Sequence, residues 1–111
     1  MGNSVKPRIE VAVTTNLECG HRDPDGRIHG HSYTVEVWTP ASADLPTLAA
    51  QVRELASGVD HTMLEDSIGS PRMEDVAAWF LARVPDATRV IVRRPTLGFA
   101  AEARSEPSQN R

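Results

Sequence analysis

One cysteine, Cys19, is the whole of this chain's thiol chemistry. An internal disulfide is therefore excluded. No run of lysine or arginine occurs, and the formal net charge is −3 at pH 7, so the electrostatic footprint of a nucleic-acid or anionic-membrane binder is missing. The stretch Met1-Gly2-Asn3-Ser4-Val5-Lys6-Pro7 has no apolar segment of signal-peptide length, and a cytoplasmic location is expected. Internal repeats and linker-like stretches are lacking too. The 111 residues read as one domain over 8–104, with flexible polar tails at 1–7 and 105–111. A chain of this size buries a modest core, which favours oligomerisation.

What the chain does have is a placement of histidines. Successive side chains on a strand point to opposite faces. From Ile9 the odd positions read Ile9, Val11, Val13, Thr15, Leu17, Cys19 and His21, opposite a mostly polar set from Arg8 to Gly20. After the turn-like Asp23-Pro24-Asp25-Gly26, the odd positions resume as His29, His31, Tyr33, Val35 and Val37. Three of the four histidines thus fall on the half-buried face of one predicted hairpin. A lone histidine on an apolar face is ordinarily a hydrogen-bonded core residue, but three together point to a divalent metal. Three imidazoles with water in the fourth position is the open arrangement of catalytic zinc. Gly30, between two of them, suits a close backbone approach from the other face, or a local bend.

The remainder alternates helix and strand. Asp44 is a suitable N-cap for a helix from Leu45 to about Ala56, whose apolar residues recur at helical spacing. A second helix opens with Ser70 as cap and Pro71 in its first position, with Glu74 and Asp75 against the positive helix end. Pro85 closes it. The segment 58–65 between the helices is too short and mixed to classify by period. Arg89 to Arg94 reads as a third strand with Val90, Val92 and Arg94 on one face, and a weak fourth runs near Phe99 to Ala103.

With these motifs laid out, the chain resembles the 6-pyruvoyltetrahydropterin synthase and 6-carboxytetrahydropterin synthase family over about residues 8–104. Leu17-Glu18-Cys19-Gly20-His21-Arg22 resembles the family's Phe-x-Ala-Ala-His-Arg segment. Gly26-Arg27-Ile28-His29-Gly30-His31-Ser32-Tyr33 resembles its Gly-Arg-Leu-His-Gly-His-aromatic strand. Asp44 with its helix is similar to the Asp-Phe segment, Asp60-His61-x-x-Leu64 to Asp-His-x-x-Leu-Asn, and Pro71-x-x-Glu74 to the Pro-Thr-x-Glu helix start. The resemblance implies an α+β tunnelling fold, an antiparallel sheet with two helices packed on one face. It also implies Zn2+ on His21, His29 and His31, and trimers stacked as a homo-hexamer with active sites at subunit interfaces. Asp60 and His61 are implied as a proton relay, and Glu74 as an acceptor for a pterin. The shortened stretch between Trp38 and Asp44 trims most of an outer hairpin.

Departures from the family pattern bear on function. The catalytic cysteine of the synthases falls at Asp25, which reads either as a turn residue or as an acid/base near the metal. A branch with an acidic residue there is associated with removing the side chain of dihydroneopterin in folate synthesis. Cys19 aligns with a small alanine and reads as packing, with a minor reading as a thiol activated by the metal. Arg94 stands where the family's strand has the glutamate that anchors the pterin's amino-pyrimidine edge. A guanidinium only donates, so it suits a carboxylate, phosphate or carbonyl, and Arg72, replacing a threonine, acts in the same direction. Both arginines also read as surface charges or interface ion pairs. The expectation is a zinc-dependent carbon–oxygen or carbon–carbon lyase of the pterin synthase type, altered in base and anchor. A non-catalytic small-molecule-binding homologue is the competing expectation.

Overall fold

The computed structural model describes residues 6–41 and 43–105. The expected tails at 1–7 and 105–111 thus lie outside the described residues apart from Lys6, Pro7 and Ser105.

Two 13-residue strands, β1 (Glu10–Arg22) and β2 (Ile28–Pro40), form the long hairpin read from the alternation. Their register sets Leu17 opposite Tyr33, Cys19 opposite His31 and His21 opposite His29. The hairpin turns at Asp23–Arg27, where the Asp23 N–H donates to Arg27 O at 2.8 Å and the Gly26 N–H to Asp23 O at 2.9 Å. Gly26 takes φ 88° there, a conformation that a side chain would strain. The chain then runs almost directly from Pro40 into α1 (Leu45–Ser57), capped by Asp44, whose carboxylate accepts from Thr47 N at 3.3 Å.

A short helix, α2 (Leu64–Ser67), lies within the stretch that had no readable period. The segment before it runs along the free edge of β1, with the Gly20 N–H donating to Thr62 O and the His61 N–H to Glu18 O. α3 (Met73–Arg83) begins later than expected, with Arg72 rather than Ser70 in the N-cap position. Ser70 instead receives the Arg72 N–H at 3.2 Å and donates to Asp75 at 2.6 Å. It braces the entry to the helix from two residues before the cap. β3 (Arg89–Arg94) and β4 (Phe99–Arg104) complete an antiparallel sheet in the order β1-β2-β3-β4.

The fold is α+β, with the helices on one face of the sheet. Odd residues of the hairpin and even residues of β3 meet the helices in one core. Leu17, Val35, Val37, Val90 and Val92 pack with Leu48, Val52, Val76 and Phe80, all at most 4% exposed. Removing such apolar surface from water is the main favourable contribution to folding. The opposite face is polar: Arg93 pairs with Glu36 at 3.1 Å, and Arg89 stacks over Trp38 at 4.5 Å. Among the described residues, no helix is long and apolar enough to cross a membrane.

Candidate functional site

The three histidines come together where the hairpin runs beyond its core. His21 and His29 face each other across the strands, and His31 is one step further along the same face. Their ring centroids are 4.8 to 6.3 Å apart, with interplanar angles of 2° to 27°. Nε2 of His21 and Nε2 of His31 stand 2.8 Å apart. At that separation one nitrogen holds a proton and the other a lone pair, so the two rings cannot both be charged without strong repulsion. Burial, reinforced by the Arg94 guanidinium and by His21 and His29, holds His31 below the ordinary histidine range. Neutral imidazole is also the form that binds a metal.

The turn adds a carboxylate that the sequence reading missed. Asp23 Oδ2 meets His29 Nε2 at 2.6 Å, and Oδ1 lies 3.6 Å from His21 Nδ1. Its position two residues after His21, at the mouth of the hairpin, is the only sequence signal that marked it. Asp25, the residue at the catalytic cysteine position, is turned elsewhere. Its Oδ1 accepts from Arg27 N at 3.0 Å, its Oδ2 lies 3.5 Å from Arg27 Nε, and its side chain is 60% exposed.

A second missed residue is Glu65, from the first turn of α2. One oxygen accepts from Arg22 N at 2.6 Å, while the other is buried without a partner. Hydrogen bonds from the Arg22 and Glu65 N–H groups, with the nearby charges of His21 and Arg22, hold its carboxyl below the ordinary range. Because α2 had no readable period, nothing in the sequence aimed Glu65 at the hairpin.

Arg94 closes the site from β3. One of its terminal nitrogens lies 2.7 Å from Nδ1 and 3.3 Å from Nε2 of His31, so whichever nitrogen is unprotonated accepts from it. The guanidinium carbon lies 6.0 Å from the Tyr33 ring and 5.9 Å from the Phe99 ring. Among the described residues, no carboxylate lies within ion-pair distance of Arg94.

Asp60 and His61 form a separate pair. Asp60 Oδ1 accepts from Glu18 N at 2.8 Å and Oδ2 faces His61 Nδ1 at 3.0 Å. The hydrogen bond from Glu18, followed by that of His61, holds the Asp60 carboxyl below the ordinary range. His61 takes φ 61°, and its side chain is 77% exposed. An open cleft of about 380 Å³ has both His31 and His61 in its lining, together with Glu18, Ser32 and Met63. A larger recess of about 740 Å³, lined by Trp38, Arg89 and Arg104, contains none of these site residues.

Arg72 and Glu74 are engaged with each other. Arg72 donates to Glu74 at 2.6 and 3.2 Å, and the same contact holds the Glu74 carboxyl below its ordinary value. Cys19 is buried, its thiol donates to Val59 O at 3.3 Å, and burial pushes its pKa up.

Among the described residues, no three histidine, cysteine, aspartate or glutamate side chains already converge on one cation position. The donor chemistry nevertheless fits zinc. Imidazole nitrogens are ligands that suit zinc, and His21, His29 and His31 are the side chains that would hold it, with those of His21 and His31 side by side. His29 keeps Nδ1 available while Nε2 meets Asp23.

An antiparallel sheet backed by helices, its long hairpin ending in clustered imidazoles, places the molecule with small tetrahydropterin-synthase-like folds. The solved structure of Caenorhabditis elegans 6-pyruvoyl tetrahydropterin synthase superposes with a TM-score of 0.73 at 15% identity, covering 90% of this chain and 97% of the other. An uncharacterized protein from Wolinella succinogenes superposes with a TM-score of 0.68 at 15% identity, covering 91% of this chain and 100% of the other. No curated protein matches the sequence significantly. The family model for 6-pyruvoyl tetrahydropterin synthase matches residues 8–97, and the chain belongs to that family.

Proposed function

We propose that this protein is a zinc-holding member of the family, with His21, His29 and His31 as ligands, acting on the side chain of a pterin or related small heterocycle as a lyase. The observation that carries this reading is the clustering of His21, His29 and His31 on one hairpin face, with Nε2 of His21 and Nε2 of His31 2.8 Å apart. When bound, zinc supplies Lewis-acid polarisation of hydroxyl or carbonyl oxygens on the substrate.

The chain's own residues would do the rest. Asp23 orients His29 by accepting its Nε2–H, as carboxylates commonly do behind metal-bound histidines, and its other oxygen lies 3.6 Å from His21 Nδ1. Asp60 holds Nδ1 of His61 and leaves Nε2 as the nitrogen that takes or gives a proton in the cleft shared with His31. Assembly into a homo-hexamer would pair the edge of β4, and the part of the β1 edge before Glu18 that the segment ahead of α2 leaves uncovered, with other copies.

One observation favours a second reading, that of a non-catalytic binding protein. Asp25 is held by Arg27 rather than at the imidazoles, so the position of the family's base offers no group to the substrate. In that reading the carboxylate against the imidazoles is Asp23, an orienting group. Incubating zinc-loaded protein with dihydroneopterin triphosphate, and separately with dihydroneopterin, tests the two. Side-chain-cleaved product from the wild type that is lost in His61→Ala supports the lyase. Binding without product supports the binder and contradicts the lyase.

A further inference from the structure

Arg94 is half-buried and, among the described residues, has no counter-ion. The contrast with its neighbour is direct: Arg93, on the polar face, pairs with Glu36 at 3.1 Å, whereas among the described residues the polar partner of Arg94 is an imidazole. A guanidinium carries five donors in a planar fork, and a single ring nitrogen uses little of that capacity. The carboxylates nearest the histidine cluster are engaged away from Arg94: Asp23 with His29, and Glu65 with the backbone N–H of Arg22, its second oxygen buried. An anionic group finds a donor.

The aromatic surroundings narrow the ligand further. Phe99 lies opposite Arg94 in the β3–β4 register and is 54% exposed, with Leu97 exposed beside it in the connecting turn. An exposed ring next to an unpaired guanidinium gives a flat molecule a surface to stack on while its charged edge meets the fork. A tetrahedral anion would satisfy Arg94 but leave Phe99 unused.

We propose that this site binds a flat heteroaromatic carboxylate, with Arg94 gripping the carboxylate and Phe99 stacking on the ring. The inference rests on reading the histidine cluster as a small-molecule site, but it does not depend on the metal or on turnover. It makes Arg94 the specificity-determining residue, selecting against the plain ring.

The test compares pterin-6-carboxylate with pterin, and 2-naphthoate with inorganic phosphate, by thermal shift and calorimetry on the full chain with and without zinc. A ligand of the folded state raises the melting midpoint in proportion to its affinity. Pterin-6-carboxylate should bind on the order of tenfold or more tightly than pterin, as expected for a charge-assisted fork, and naphthoate should bind better than phosphate. Arg94→Gln should erase the preference for the carboxylate, and Arg94→Glu should reverse it. Arg94→Lys, which keeps the charge and loses the fork, should retain part of it. Equal binding of the two pterins, no binding of any ring carboxylate, or an unchanged preference in Arg94→Gln would overturn the proposal. Preference that depends on zinc and survives Arg94→Gln would assign the grip to the metal and also overturn it. Preference present in protein that takes up no zinc would sustain this proposal while contradicting the zinc-dependent function.

Discussion

Nε2 of His29 stands 2.6 Å from Oδ2 of Asp23, which ties the hairpin turn to the histidine cluster through one carboxylate. If His29 is a zinc ligand, Asp23 fixes which of its nitrogens remains for the metal. Asp23→Ala should therefore weaken zinc binding by about 10- to 100-fold, the range for loss of a carboxylate behind a metal-bound histidine. Competition with a chromophoric chelator measures it. Asp25→Ala, at a residue engaged with Arg27, should leave zinc affinity unchanged.

Arg94 opposes the metal electrostatically, because its guanidinium lies 2.7 Å from a ring nitrogen of His31. Arg94→Ala should increase zinc affinity in the absence of any anionic ligand, by on the order of tenfold, and the gain should shrink as ionic strength rises. The same chelator titration at low and high salt checks both the sign and the screening.

The two glycines that face each other in the hairpin are not equivalent. A Cβ on Gly20 would come within 2.9 Å of Met63 Sδ and 3.3 Å of the His29 carbonyl, whereas one on Gly30 would meet nothing nearer than 4.0 Å. Met63 can move aside, but the strand carbonyl beside it must also give. Gly20→Ala should destabilise the fold by about 1 kcal/mol or more through overpacking. Gly30→Ala should be neutral or slightly stabilising, since it removes only the flexibility of the unfolded chain. Urea unfolding midpoints of the two variants distinguish them.

Asp60 links the loop before α2 to β1, and its carboxyl sits below the ordinary range because Glu18 N and His61 donate to it. A carboxyl with a depressed folded value contributes stability that is fully present above its unfolded value. That stability is lost as the pH falls through the folded one. The wild type should lose stability as the pH drops below about 4, and Asp60→Asn should show a shallower decline over the same window while being less stable at neutral pH. Thermal midpoints across pH 2.5 to about 7 follow this directly.

Much of this arrangement was legible before the structure, for a physical reason. Period-2 alternation carries face information without any tertiary context, so the grouping of His21, His29 and His31 with Leu17, Tyr33 and Val35 followed from residue parity alone, as the register bears out. The helix after Asp44 was equally readable because its cap and its stripe agree. The missing parts depended on contacts remote in sequence. Glu65 reaches Arg22 from a helix of four residues, too short to show a period. Asp23 and Asp25 both read as turn residues, and only the path of the hairpin turns one toward the histidines and the other toward Arg27. The close backbone approach anticipated at Gly30 occurs at Gly20, where Met63 arrives from a segment with no readable period. Ser70 has the composition of a cap, yet the chain stays extended through Arg72 at ψ 135°, and the helix starts later.

The most direct test of the central claim is the zinc stoichiometry of the purified wild type, by elemental mass spectrometry and chelator competition, beside His21→Ala, His29→Ala and His31→Ala. The account predicts about one zinc per chain in the wild type, as for a site with three protein nitrogens, and its loss in each variant with the fold retained by circular dichroism. A wild type that takes up no zinc on titration, or variants that bind it as tightly as the wild type, would contradict the account.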